Sequence, residues 1–365
     1  MKKTIKVISV VGARPNFIKI LPLCREFERR RGMFKHCLVH TGQHYDNEMD
    51  QVFFKELCLP RANVYLGVGS GSHAEQTARV MLGFEKVCLS YCPDWVVVVG
   101  DVNSTLAAAL VAVKLGIRVA HVEAGLRSFD HTMPEEINRL LTDRVSDLLF
   151  IPSLDANQNL LREGIKQKKI KFVGNIMIDT LEMHLEEILK NKFYLKNNLK
   201  QKKFGYVTLH RPCNVDSKEQ LKKIVNVLID ISDIMPLIFP VHPRTKIRLH
   251  DFLLLDKLKK TKGMHLTNPL GYFDSICLAK NAQFVLTDSG GLQEETTYLK
   301  TACLTLRPST ERPITISQGT NKLTRVELLK QDVKKLILNT RITSKVPALW
   351  DGKTARRIVD ILARS

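Results

Sequence analysis

The chain has 365 residues, of which 44% are hydrophobic and 25% charged; this suggests two domains, supplies ample apolar material for buried cores and excludes a disordered chain. The formal net charge is +19, but the excess sits in short runs (166–171, 196–203 and 257–262) between apolar segments and without interleaved aromatics. They read as a lysine-rich solvated surface rather than a nucleic-acid or membrane patch, and the eight scattered cysteines, with neither a disulfide framework nor zinc spacing, predict reduced thiols in a cytoplasmic protein.

Continuous apolar runs followed by helix-like stretches predict buried parallel strands. The first is Ile5–Val11. It reads as a strand and not a secretory leader, because Lys6 breaks the short run and Arg14 and Lys19 follow with no cleavage-like site. No run is long enough to span a bilayer. A helix is expected over 17–30. Gly67-Val68-Gly69-Ser70-Gly71 is GxGxG rather than GxGxxG, so no NAD is inferred. Strands at Trp95–Val99, Val119–Val122 and Leu148–Ile151 alternate with helices over 104–115 and 134–143. A boundary is expected near 174–180, dividing residues 1–174 from 175–351. The segment 185–203 reads as a polar, Lys/Asn-rich excursion. The second half repeats the pattern: strands at 206–209, 237–241, 264–267, 284–287 and 302–306, and helices over 221–231 and 291–299. Thr354–Leu362 reads as a final helix, with Ile358, Val359, Ile361 and Leu362 on its apolar side. The alternation predicts an α/β fold of two doubly wound Rossmann-like domains.

Ligands of open α/β sheets bind beyond the carboxyl ends of the strands. Here those ends carry Gly12, Arg14 and Pro15; Gly100 and Asp101; and Glu123, Gly125 and Arg127. In the second half they carry His210 and Arg211; His242 and Arg244; Asp288 and Ser289; and Arg307, Glu311 and Arg312. Acid, base and cation after almost every strand of two domains imply a shared central cleft. Asp288-Ser289-Gly290-Gly291 follows a strand and opens a helix, which suits a diphosphate: glycines admit backbone N–H groups and the helix dipole favours negative charge. Of Glu294 and Glu295, one could accept hydrogen bonds from a ribose diol; acidic residues are also ordinary in a first helical turn. The eleven histidines lack metal spacing, so no metal is expected. His36, His40, His184, His250 and His265 read as structural, whereas His210 and His242 each end a strand.

With these residues in view, the chain resembles the non-hydrolysing UDP-N-acetylglucosamine 2-epimerases over nearly its whole length. Val11-Gly12-Ala13-Arg14-Pro15 with Ile18-Lys19 is similar to the family's opening GTRPE-x-IK. Thr41-Gly42-Gln43-His44-Tyr45, Gly100-Asp101, His121 to Arg127, Pro134 to Arg139 and His210-Arg211 also match. So do Pro240 to Pro243, Thr287 to Glu295 and Thr310-Glu311-Arg312-Pro313. The order of these motifs carries the specificity. The resemblance implies a GT-B-like pair of domains facing a central cleft, UDP held by the second domain, the C-terminal helix (352–365) packed back on the first, no cofactor, and a homodimer. It implies catalytic roles for Asp101, Glu123, Glu135 and His210. It implies UDP-sugar contacts from Arg14, Lys19, His242, Ser289, Gly290, Gly291, Glu295 and Arg312.

The implied reaction is C2 inversion of UDP-N-acetylglucosamine to UDP-N-acetylmannosamine, by UDP elimination and re-addition through a 2-acetamidoglucal, supplying surface polysaccharide synthesis. Inversion needs proton donors or acceptors on both faces of C2, which accounts for several carboxylates around one sugar. Family members are often activated by a second UDP-N-acetylglucosamine, and Gln43, Gln76 and Glu136 fit that pattern. Ala13 and Asn16 replace the family's Thr and Glu, and His210-Arg211-Pro212-Cys213 replaces its frequent HRRE. Ser275 stands where an aromatic often lies near the base, with Tyr272 and Phe273 as neighbouring substitutes. The competing readings are a 2-epimerase of a UDP-diacetamido-glucuronate, a hydrolysing epimerase, a GT-B glycosyltransferase and a non-catalytic UDP-sugar sensor.

Overall fold

The structure is a computed structural model that describes residues 4–43, 56–338 and 344–365, without the side chain of Arg14. The chain divides into two units: Met1–Met183 with Ala348–Ser365, and His184–Pro347. The first unit's described strands are β1 (Ile5–Val11), β2 (Phe34–His40), β3 (Val64–Tyr65), β4 (Trp95–Val99), β5 (Arg118–Val122), β6 (Leu148–Ile151) and β7 (Ile170–Phe172). They form one sheet in the order β3-β2-β1-β4-β5-β6-β7, every neighbouring pair parallel.

The apolar run of β4 reflects cover on both faces. Trp95, Val97 and Val99 share a core with Val7 and Val11 of β1 and with Phe17, Ile20 and Cys24 of the helix Arg14–Arg29. Val96 and Val98 point the other way. They meet Ile8 and Val10, with Phe84 and Cys88 of the helix His73–Tyr91 and Ala108 of the helix Asn103–Lys114. Each fully buried side chain of this size contributes about 1.5–3 kcal/mol. Ile358, Val359 and Leu362 of the helix Thr354–Leu362 join the first of these cores, and Asp179 caps that helix by accepting from the Thr354 and Ala355 amides at 3.1 and 2.7 Å.

The second unit's described strands are β8 (Gly205–Thr208), β9 (Leu237–Pro240), β10 (Met264–Thr267), β11 (Phe284–Thr287), β12 (Ala302–Leu306) and β13 (Asn321–Thr324). Their order is β10-β9-β8-β11-β12-β13, again all parallel. Both units are therefore doubly wound α/β sheets, and in each the direction of winding reverses once. The reversal lies between β1 and β4 in the first unit and between β8 and β11 in the second, and a ligand crevice forms at such a switch point.

Four strands lie outside the expected set. β2 opens with Lys35 and His36 after a single apolar residue, β3 has two residues, and β7 overlaps the end of the basic run 166–171. β13, Asn-Lys-Leu-Thr, is polar. Three of the four are sheet-edge strands, which need less apolar cover. The excursion 185–203 contains the short helices Leu185–Lys190 and Phe193–Lys196. No helix among the described residues is long and apolar enough to cross a membrane.

Candidate active site

In the first unit the crevice between β1 and β4 is built around Asn16. Its side-chain oxygen accepts from the Gly12 and Ala13 amides at 3.2 and 3.1 Å, and its amide nitrogen donates to the Val99 carbonyl at 2.9 Å. One buried side chain thus ties the loop after β1 to the end of β4. Gly12 has to be glycine: a Cβ there would lie 2.3 Å from the Ser104 hydroxyl oxygen.

Lys19, 5% exposed, reaches from the helix Arg14–Arg29 to form an ion pair with Glu123, 7% exposed, in the loop after β5. Glu123 sits at φ 72°, a left-handed conformation uncommon for residues other than glycine and one that concentrates at functional sites. A Cβ on Gly100 would lie 3.1 Å from Lys19 Nζ and 3.5 Å from Glu123 Oε2, so this pair lies over the turn that leads to Asp101. Arg139 donates to Asp101 Oδ2 from Nε and Nη2 at 2.9 and 2.8 Å, and Asn138 donates to the Asp101 carbonyl at 2.9 Å.

Glu135 and Glu136 open the helix Pro134–Val145 and have different environments. Glu136 is buried and accepts from the Ser128 amide and hydroxyl, the Phe129 amide and Arg139. Glu135 is partly exposed and makes no hydrogen bond or ion pair among the described residues. Below this rim His121, fully buried, places Nδ1 2.6 Å from Asp143 Oδ1 and Nε2 2.8 Å from the Gly100 carbonyl. Asp143 also accepts from the Gly125 amide at 3.0 Å and pairs with Arg127 at 2.8 Å. Burial pushes the Asp143 carboxyl up, but His121 and Arg127 hold it below the ordinary range. The network fastens the loops bearing Asp101 and Glu123 to one another. Arg127 pairs with Asp143 and with Glu163 at 2.7 Å, while Glu123 pairs with Lys19.

Gln43 and Gln76 are engaged within the same unit. Gln43 Oε1 accepts from the Ser104 amide and hydroxyl at 3.1 and 2.7 Å, at the start of the helix Asn103–Lys114. Gln76 Oε1 accepts from Asn103 at 3.0 Å, and Asn138 donates to Asn103 Oδ1 at 3.2 Å. A chain of buried amides therefore runs from Gln76 to Asp101. The side chain of Arg14, and residues His44 and Tyr45, lie outside the described part of the structure.

In the second unit the crevice between β8 and β11 carries His210 and Asp288. Asp288 is completely buried, and its Oδ1 is 2.9 Å from His210 Nδ1. Burial raises the Asp288 carboxyl, but hydrogen bonds from His210, Asn214 and the Arg211 amide, with the His210 charge, bring it below its ordinary range. His242 caps the helix Pro243–Asp251, accepting from the Arg244 amide at 3.2 Å, and its ring lies 5.4 Å from that of His210.

Ser289 is the N-cap of the helix Gly290–Leu299, whose first amides can meet an anion. A Cβ on Gly290 would lie 2.5 Å from Arg312 Nη1 and 2.8 Å from Glu311 Oε1; Gly291 follows, partly exposed. Behind them is a buried cluster: Arg312 pairs with Glu294 at 2.9 Å and with Glu311, and Arg307 pairs with Glu311 at 3.0 Å. Glu295 is 5% exposed. Burial pushes its carboxyl up to about 8, against the neighbouring Tyr272 hydroxyl and with help from the Glu294 charge. Ser275 hydrogen-bonds the Tyr206 hydroxyl at 2.8 Å. Among the described residues no group of three His, Cys, Asp or Glu could hold a metal ion.

The structure thus brings Lys19, Asp101 and Glu123 to one switch point and His210, Ser289 and Gly290 to the other. Asn16, Asn138 and Asp143 were not singled out as site residues from the sequence, and Glu294, weighed there as a ribose acceptor, is paired with Arg312. For Asn138 the signal was its place in the matching run Pro134 to Arg139; Asp143 carried none beyond being a polar residue on a predicted helix.

The sequence profile of the family described as UDP-N-acetylglucosamine 2-epimerase matches residues 25–363. The UDP-N-acetylglucosamine 2-epimerase of Methanocaldococcus jannaschii is 46% identical over 98% of this chain and 98% of its own length. A crystal structure of that organism's enzyme in complex with UDP-GlcNAc and UDP superposes with a TM-score of 0.91, covering 99% of this chain and 100% of that one. The UDP-2,3-diacetamido-2,3-dideoxy-D-glucuronate 2-epimerase of Pseudomonas aeruginosa is 36% identical over 98% of this chain and 99% of its own length.

Proposed function

The chain belongs to the UDP-N-acetylglucosamine 2-epimerase family, and on that premise we propose that it inverts C2 of UDP-N-acetylglucosamine to give UDP-N-acetylmannosamine without releasing the free sugar. The carrying observation is the pairing at the first switch point, where Glu123 meets Lys19 and Asp101 meets Arg139. A cation holds each of these two carboxylates in place, while Glu135 stands on the same rim with no hydrogen bond or ion pair among the described residues.

The reaction proceeds by elimination and re-addition. One carboxylate takes the C2 proton, the C1–O bond breaks with its electron pair leaving on UDP, and a C1–C2 double bond forms in a 2-acetamidoglucal. A UDP oxygen then adds back to C1 while a proton is delivered to the opposite face of C2. Asp101, Glu123 and Glu135 supply the proton transfers. Arg14, Lys19, His210, His242, Ser289, Gly290, Gly291 and Arg312 bind the nucleotide sugar and stabilise charge on the departing diphosphate, and Glu295 accepts from the ribose. No cofactor takes part, and the product feeds surface polysaccharide synthesis from the cytoplasm.

Two partners belong to this reading. A second UDP-N-acetylglucosamine acts as activator through Gln43, Gln76 and Glu136, and the amide chain from Gln76 to Asp101 supports a route for its effect. A second copy of the chain forms a homodimer, supported by the exposed apolar Leu82 and Leu89 on one helix and Ile137 and Leu141 on another of the first unit.

The test is proton NMR with UDP-N-acetylglucosamine in D2O. Deuterium at C2 with accumulation of UDP-N-acetylmannosamine is expected. Free N-acetylmannosamine would assign the hydrolysing reaction. No exchange, with turnover of a UDP-diacetamido-glucuronate, would move the substrate to that of the Pseudomonas relative.

A further inference from the structure

Asp288 holds more of the second unit's crevice together than a turn requires. It follows β11 directly, is fully buried, and its two oxygens meet four donors from the segment after β8. Oδ2 accepts from the His210 amide at 3.0 Å, the Arg211 amide at 2.9 Å and the Asn214 side chain at 3.0 Å. Oδ1 shares the His210 amide at 3.1 Å and faces His210 Nδ1 at 2.9 Å. The second hydrogen bond of Asn214, to the Leu306 carbonyl at 3.0 Å, fixes that side chain in turn. A carboxylate only accepts, so Nδ1 of His210 has to donate. Nε2 makes no hydrogen bond among the described residues, and the ring is partly open to solvent, at 36% side-chain exposure.

We propose that Asp288 is a positioning residue for the epimerisation: it fixes His210 with the proton on Nδ1, so that Nε2 is the nitrogen that exchanges a proton with the leaving and returning diphosphate. The role rests on the reaction proposed above. The proton balance is simple. As UDP departs, Nε2–H of the imidazolium shares or gives its proton to the diphosphate oxygen, and on re-addition Nε2 receives it back. Asp288 stays ionised throughout and stabilises the charged ring. The depressed Asp288 carboxyl agrees with that ionised state.

The geometry makes Asp288→Asn informative. Oδ2 meets three N–H groups, so the carbonyl of asparagine stays there and its NH2 takes the Oδ1 position. That NH2 would donate to Nδ1 and drive the ring proton to Nε2. The substitution is isosteric, yet it inverts the tautomer and removes the countercharge.

The experiment has two arms. In the first, 15N-histidine NMR of the wild-type protein, with His210 assigned by its loss in His210→Gln, reads the tautomer of the neutral ring. The Nδ1-protonated form is expected in wild type and the Nε2-protonated form in Asp288→Asn. An Nε2-protonated wild-type ring overturns the proposal, and this arm stands even if the variant does not fold. In the second, kcat on UDP-N-acetylglucosamine is expected to fall roughly a hundredfold or more in Asp288→Asn, with the UDP dissociation constant moving less than about threefold. Asp288→Asn combined with His210→Gln should be no slower than the slower single variant, because the two residues act as one unit. A variant within about twofold of wild type in kcat, or losses that multiply, overturns the role of Asp288 while leaving the epimerase reading intact. A wild-type protein that turns over no UDP-N-acetylglucosamine sinks that reading, and the Asp288 role with it.

Discussion

Most acids near the two switch points meet a cation or a histidine, as Asp288 meets His210 in the second unit, and one buried acid does not. In the first unit, Glu123 meets Lys19, Asp101 meets Arg139 and Asp143 meets both His121 and Arg127. In the second, Glu294 meets Arg312, but Glu295, the next residue, has no cation within ion-pairing distance among the described residues, and burial raises its carboxyl to about 8. The paired acids of both units are held in place by their partners, whereas burial without a cation favours the neutral carboxyl at Glu295. The difference teaches that acids close together around a switch point divide the labour by the partners their neighbours supply.

That contrast is broken most severely by neutralising the first set. Asp101→Asn and Glu123→Gln are each expected to lower kcat by roughly 10²- to 10⁴-fold, with UDP affinity, measured by calorimetry, close to wild type. If Glu123 served only as an ion-pair partner, Glu123→Gln would lower the melting temperature and spare turnover per folded molecule. A smaller effect is expected in the second set from Gly290→Ala. The added Cβ would press within 2.5 Å of Arg312 Nη1 and 2.8 Å of Glu311 Oε1, whose carboxylates and guanidinium are locked in ion pairs. UDP binding is expected to weaken roughly tenfold to a hundredfold, about 1.4–2.8 kcal/mol, while the C2 exchange rate at saturating substrate changes little. A matching loss of kcat would place Gly290 in the chemistry instead.

Much of this was legible in the sequence, for physical reasons that also explain what was not. Strands covered on both faces announce themselves as unbroken apolar runs, and Ile5–Val11, Trp95–Val99, Phe284–Thr287 and Ala302–Leu306 were all expected where they lie. β2, β7 and β13 were hidden because Lys, His or Asn interrupts their apolar residues. Strand ends pointed to Asp101, Glu123 and His210, since a polar residue after a buried strand has one place to go. The supports were harder to see. Asn16, Asn138 and Asp143 belong to helices, where polar residues ordinarily face solvent, and only the sheet and neighbouring helices folded over them reveal that theirs are buried. Glu136 illustrates the limit: adjacent to Glu135 in the chain, it is spent on the Ser128–Phe129 loop and on Arg139, a division no spacing rule anticipates.

The smallest expected effect sharpens the comparison through stability and pH. The Glu295 carboxyl rises from its ordinary 4.5 to about 8 on folding. Between those values the unfolded chain has released its proton and the folded chain has kept it, so ν_U is below ν_N and stability falls as pH rises through that window. Above about 8 both states are ionised and the cost of the buried charge is complete. Glu295→Gln removes the titration while keeping the side chain's shape beside Tyr272. Its melting temperature relative to wild type should therefore climb between pH 5 and pH 8, by roughly 2–4 °C for each kcal/mol of relief. The corresponding change in the first unit, Glu123→Gln, should show no such gain, since it leaves Lys19 buried without its partner. Opposite signs in the two thermal profiles would support the division of labour, whereas a Glu295→Gln difference that stays flat with pH would mean that this carboxylate already has a compensating charge in the folded protein.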